Sequence, residues 1–162
     1  MDWDQYFMTM CYLVAMRSKD ERTWVGSVIV GPDNEIRSTG YNSLPRGMDD
    51  SIKARFEKPA KEFLVEHAER NGIYNAARMG IDIKGCKLYV NKHICSQCAR
   101  GAQQSGISEV IIHEAFPGNC CEHDEDIFYA RMILDEGGVK LRYWNGQILQ
   151  IQGRAKGDDI QF

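Results

Sequence analysis

Two short segments, His67-Ala68-Glu69 and Cys95-Ser96-Gln97-Cys98, constrain this chain more than any other feature, because their side chains make chemical sense only if the segments meet. One imidazole and two thiolates form a ligand set for zinc, which takes nitrogen and sulfur tetrahedrally and, in catalytic sites, leaves the fourth position to water. A neutral His67 with Cys95 and Cys98 as thiolates cancels the ion's charge, so a bound water still loses a proton yet leaves a hydroxide that is nucleophilic. If a helix begins near Cys95, both sulfurs share one face of its first turn, where the helix dipole and the unpaired N–H groups favour thiolates. Glu69 follows His67 by two positions, which on a regular helix sends the two side chains to opposite sides. Both approach one metal only if His67 stands at the very start of the helix and points over its end. Glu69 then misses the metal and faces its water, the place of a general acid/base. A closed structural zinc, with His93 as fourth ligand, is the alternative.

The rest of the chain supplies elements that can bring those segments together. Helical spacing of Trp3, Phe7, Met10, Cys11 and Val14 predicts an amphipathic helix over 2–18. Residues 24–30 and 35–42 read as strands joined by the turn Gly31-Pro32-Asp33-Asn34, a hairpin. Further elements are a helix over 67–79 stopped by Gly80, a strand over 87–90, a helix over 95–105 ended by Gly106, and a buried strand over 109–113. A helix over 124–136, a strand over 139–144 and a polar tail, 145–162, complete the chain. This alternation predicts an α/β fold built from β-α-β units, a single domain over 1–162 with its core in about 1–144. Right-handed crossovers between parallel strands would set both motif helices at the carboxyl edge of the sheet.

Residues 43–66 form a long connection, helix-like from about Pro59, which carries Arg46, Lys53, Arg55, Lys58 and Lys61. Arg46, Arg55 and Lys61 are the foremost candidates to meet a phosphate. A solvated face diluted by Asp49, Asp50, Glu57 and Glu62 is the bland alternative. His113, Cys120, Cys121 and His123 lie close in sequence, but adjacent side chains diverge, so a polar loop with two thiols is preferred to a second metal site.

With 162 residues, 27% of them charged, and a formal net charge of -3, the chain reads as a soluble globular protein lacking the basic footprint of nucleic-acid binders, which favours a small substrate. Of 6 cysteines, two are assigned to zinc and the rest show no framework spacing, which points to a reducing, cytoplasmic compartment. There is no apolar run of membrane-spanning length, so no membrane partner is expected.

The run His67-Ala68-Glu69-Arg70-Asn71, then Tyr89-Val90 leading to Cys95-Ser96-Gln97-Cys98-Ala99, then Gln104-Ser105-Gly106-Ile107, resembles the cytidine/deoxycytidylate deaminase superfamily. Thr39-Gly40-Tyr41-Asn42-Ser43-Leu44-Pro45 is similar to the G-Y-N-G-x-P loop of its dCMP deaminase branch. The resemblance implies a three-layer α/β/α fold with a five-stranded mixed sheet, Zn²⁺ as cofactor, and hydrolysis of dCMP to dUMP and ammonia, 5-substituted dCMP being a further substrate to test. It also implies that Asn42 bonds the sugar 3′-hydroxyl, that the Ala68 N–H bonds the pyrimidine carbonyl, and that Glu69 protonates N3 and later the leaving amine. Homo-oligomers are usual in this family, and some members are regulated by dCTP and dTTP. Ile94 departs from the proline before the first Cys, Gly72 from the usual alanine after H-A-E-x-N, and Ser43 from the loop glycine. No Cys or His occurs in 43–66 to hold the extra structural zinc of some members. The rival readings are a cytidine or deoxycytidine deaminase, a tRNA adenosine deaminase and a non-catalytic zinc protein. The first usually carries P-C-G-x-C-R and the second a methionine where Gln97 stands.

Overall fold

A computed structural model describes residues 1–117 and 124–150, together with the backbone of 153–155 and 158–160. Helix α1 (Trp3–Ala15) is followed by β1 (Gly26–Val30), β2 (Ile36–Tyr41), a 3-10 turn (Lys53–Phe56), α2 (Ala60–Leu64) and α3 (Ala68–Met79). Then come β3 (Lys87–Val90), α4 (Ser96–Gln104), β4 (Glu109–His113), α5 (Glu125–Glu136), β5 (Lys140–Trp144) and the short strands β6 (Gly153–Ala155) and β7 (Asp158–Ile160).

Five strands form one mixed sheet in the order β2-β1-β3-β4-β5. Strand β1 is antiparallel to both β2 and β3, whereas β3, β4 and β5 run parallel. It follows that β2 and β3 point the same way, and the chain leaves both at one edge before α3 and α4 begin.

The period of two along the strands divides the core between two faces. Val28, Val30, Tyr89 and Ile111 pack with Phe7, Met8 and Cys11 of α1. Ile29, Leu88, Val90, Val110 and Ile112 pack on the other face with Ala76 of α3, Ala99 and Ala102 of α4, and Ala130 and Leu134 of α5. The result is the expected α/β/α layering. Small residues let the layers approach closely: a Cβ on Gly26 would lie 2.0 Å from the Cys11 carbonyl oxygen, and one on Gly40 only 2.1 Å from that of Ala68.

The differences from the sequence reading have local causes. Helix α1 stops at Ala15, short of the expected residue 18, where Arg17 and Ser18 close tight turns onto Val14 and Ala15. Strand β1 starts two residues later than expected because the Val25 N–H bonds the Asn42 side chain instead of a neighbouring strand. In the tail, expected to be merely polar, β6 and β7 pair antiparallel. No helix among the described residues is long and apolar enough to cross a membrane.

Candidate active site

His67 and Cys95 occupy equivalent positions, each the extended residue immediately before a helix, with φ/ψ of -75/153 and -82/166. The His67 imidazole makes no capping bond to α3 and turns to the cysteines instead. Its Nδ1 lies 3.4 Å from Cys95 Sγ and 3.5 Å from Cys98 Sγ, and the three ligand atoms all fall within 4.8 Å of one another. Zinc bonds of about 2.0 Å to nitrogen and about 2.3 Å to sulfur separate tetrahedral ligand atoms by roughly 3.5 Å, so this spacing fits one zinc ion.

The electrostatics suit the same ion. The Cys95 thiol is brought down to about 4 by the hydrogen bond from Cys98, helped by His67 and by the Cys98 N–H at the helix start. Cys98 is pushed upward by the bond it donates to Cys95 and by burial, so the pair shares one proton, which metal binding would release. The bond with Cys95 also holds the His67 imidazole above its ordinary value. Glu69 is 2% exposed, and burial lifts its carboxyl to about 7, only partly offset by His67. A carboxyl poised there can both give and accept a proton near neutrality.

His93 does not close the metal site. Its Nδ1 lies 3.4 Å from the Tyr143 hydroxyl and its ring packs edge-on against that tyrosine, with centroids 5.5 Å apart. Among the described residues the ligand group is His67, Cys95 and Cys98 alone. It faces a cavity of about 1710 Å³ lined by His67, Ala68, Glu69 and Cys95 on one side and by Trp24, Asn42, Arg22 and Lys61 on others. The Ala68 N–H, at the first position of α3, meets no acceptor among the described residues. Ile94, where a proline was expected, is 2% exposed and packed in the core beneath the α3–α4 layer, so burial fixes the approach to Cys95 in place of a rigid ring.

Asn42 is 6% exposed and held from three directions. Its Oδ1 accepts the Val25 N–H at 2.9 Å, and its Nδ2 donates to Thr23 O at 3.0 Å and to Asp20 Oδ2 at 3.3 Å. Asp20, 1% exposed, also accepts the Arg22 and Thr23 N–H groups and pairs with Lys61. Asp20 was not foreseen as part of the site, although an aspartate that turns the chain between a helix and a strand is a familiar signal for such a bond. Ser43, which replaces the loop glycine, pairs with Glu66 through both main-chain groups and takes a bond from Asn71 at 3.1 Å, tying this loop to the start of α3.

Of the three cations expected near a phosphate, only Lys61 lines this cavity. Arg46 bonds Asn75 and lines a second cavity of about 230 Å³, which adjoins the first at Lys19, Asp50 and Phe56. Arg55 donates to the Asp49 carbonyl at 2.9 Å and does not line the site. His113 is engaged by the Tyr12 hydroxyl at 2.6 Å and the Gly146 carbonyl at 3.1 Å, whereas Cys120, Cys121 and His123 lie outside the described residues.

A group of three side chains that could hold a metal, beside a buried carboxyl at the carboxyl edge of a mixed sheet, has the composition of a hydrolytic metal site such as those of zinc deaminases. The chain belongs to the cytidine and deoxycytidylate deaminase family, whose zinc-binding region matches residues 1–114. It is 36% identical over 148 residues to the deoxycytidylate deaminase of Pongo abelii, an alignment covering 88% of this chain and 79% of that protein. To the deoxycytidylate deaminase of Homo sapiens it is 35% identical over 147 residues, again covering 88% and 79%. Its fold is similar to that of the apo dCMP deaminase of cyanophage S-TIM5, with a TM-score of 0.68 and 21% identity over 87% of this chain and 96% of that one.

Proposed function

We propose that this protein hydrolyses dCMP to dUMP and ammonia. The observation that carries the reading is the His67, Cys95 and Cys98 group with a fourth direction open to the cavity and the buried Glu69 carboxyl beside it. The deoxycytidylate deaminases to which the chain is similar support the choice of nucleotide. When bound, zinc supplies the Lewis acidity that makes a water nucleophilic near neutral pH. Glu69 takes the proton that this water gives up and delivers it to N3 of the cytosine ring as the water oxygen bonds to C4, then carries the remaining proton of that oxygen to the amine, so that the C4–N bond breaks, ammonia leaves and the C4 carbonyl forms. The Ala68 N–H holds the pyrimidine carbonyl, and Asn42, fixed by Asp20, Thr23 and Val25, bonds the sugar hydroxyl. The phosphate falls to Lys61 and to Arg22, an exposed cation on the same cavity with no ion pair among the described residues. The exposed Phe128, Tyr129 and Met132 of α5 support a homo-oligomer.

Ammonia release should be assayed on dCMP, 5-methyl-dCMP, CMP, deoxycytidine and dCTP, with and without dCTP or dTTP as effectors. Turnover of dCMP well above that of deoxycytidine is expected. Turnover of deoxycytidine with none of dCMP would replace this reading with a nucleoside deaminase.

A further inference from the structure

The two metal-ligating segments belong to different β-α units, and something must hold them in register. Arg70, on the first turn of α3, spans the gap. Its Nε donates to Glu66 Oε1 at 2.5 Å and its Nη1 to Gln97 Oε1 at 2.6 Å, while Nη2 also pairs with Glu66. Gln97 is one of the two residues between the zinc-ligating cysteines. Glu66 precedes His67, accepts the His67 N–H at 2.9 Å on the same Oε1, and is locked to Ser43 by paired main-chain bonds of 3.1 and 2.8 Å. The side chains of Arg70 and Glu66 are only 17% and 22% exposed, so their bond is partly sheltered from water, while the bond to Gln97 lies at the surface.

We propose that Arg70 is a positioning residue that, through Glu66 and Gln97, holds His67 against Cys95 and Cys98 and so retains the zinc. The inference rests on the reading of these three residues as zinc ligands. A guanidinium is suited to the task because its planar fork presents several donors in fixed directions, which a lysine ammonium does not.

Zinc-loaded protein mixed with an excess of the chelating dye 4-(2-pyridylazo)resorcinol reports release of the metal directly. Arg70→Met and Gln97→Met should each release zinc faster, by about tenfold or more, as expected when a partner outside the ligand shell is lost. The double variant should be no faster than Arg70→Met alone, because both substitutions cut the same link. Arg70→Lys should release zinc nearly as fast as Arg70→Met. If Arg70→Met fails to fold, Gln97→Met carries the test. Release from Gln97→Met at the unaltered rate would overturn the proposal, reducing Arg70 to an ordinary helix ion pair with Glu66, and so would additive effects in the double variant. Failure of the unaltered protein to take up zinc would instead remove the metal site itself, and the proposal with it.

Discussion

Replacing Glu69 by glutamine should make the zinc-stripped protein more stable at alkaline pH while destroying turnover. The side chain is 2% exposed, and burial lifts its carboxyl from 4.5 to about 7. The sign follows from proton binding. Between those values the folded protein holds a proton that the unfolded chain has released, so stability falls as pH rises through this window and the deficit is complete above about 7. Each unit is worth about 1.4 kcal/mol, so the deficit approaches roughly 3 kcal/mol at pH 8 and stays below about 1 kcal/mol at pH 5. Glutamine, nearly the same shape and never charged, escapes it. For a chain of this size, about 2–4 °C of melting temperature accompany each kcal/mol, so Glu69→Gln should melt on the order of 10 °C above the unaltered protein at pH 8, the two converging toward pH 5. Circular dichroism melts after exhaustive chelation measure this directly. Equal melting temperatures at pH 8 would refute the picture of a dehydrated carboxyl. With zinc restored, the variant should keep its metal yet lose about 10²-fold or more in kcat, the usual worth of a positioned proton carrier.

Three further outcomes follow from the same geometry. Cys98→Ser should lower the zinc found by elemental analysis to a trace, since a hydroxyl does not replace the thiolate as a ligand. Gly40→Ala should cost about 1–3 kcal/mol in urea unfolding and loosen zinc as well. The new Cβ would sit 2.1 Å from the Ala68 carbonyl oxygen and 2.3 Å from the Gly72 nitrogen, and the helix start that must yield carries His67 and Glu69. Asp20→Ala should cost about 3–5 kcal/mol, because Lys61, Asn42 and two main-chain N–H groups lose their shared acceptor, and should raise KM for the nucleotide as Asn42 is released.

The parts of this molecule that could be read from residues alone are those where one physical rule acts without competition. Strands β3 and β4 fall on their expected residues because short apolar runs bounded by turns have few other folded uses. The placement of His67 ahead of α3 followed from one distance in sequence, since no interior helical position lets residues two apart serve one metal. The connection between β2 and α3 was not legible in the same way. Its cations are set by where an irregular backbone turns, so Arg46 went to Asn75 and Arg55 to a carbonyl of its own loop, whereas Lys53, Lys58 and Lys61 reached the cavity. Asp20 was hidden for a related reason. A buried carboxylate is recognisable by its partners, and here they come from its own turn, from Asn42 and from Lys61, positions that no periodicity relates.

The two helix starts that carry the proposed metal ligands also present main-chain donors to the cavity side of the fold. The residue before a helix ordinarily turns a serine, threonine or aspartate oxygen back onto the first N–H groups, and losing such a cap costs about 1 kcal/mol. Cys95 keeps part of that role, since its sulfur accepts the Cys98 N–H at 3.4 Å. His67 gives it up, because its imidazole is directed to the sulfurs. Helix α3 therefore begins uncapped by the residue before it, and Ala68, whose N–H is the first of the helix and beyond the reach of such a cap, lines the cavity with that N–H lacking an acceptor among the described residues. A buried main-chain donor is costly to leave unmade, so a ligand carbonyl placed there recovers energy that the folded protein alone forgoes. In the proposed reaction the Ala68 N–H serves the pyrimidine carbonyl, a donor that a capping serine or aspartate at position 67 would have left free as well, since such a cap reaches only the second and third N–H groups. That donor stands one residue in sequence from His67 and one from Glu69, so a single helix start carries the nitrogen proposed for the metal, the donor for the ring and the proton carrier.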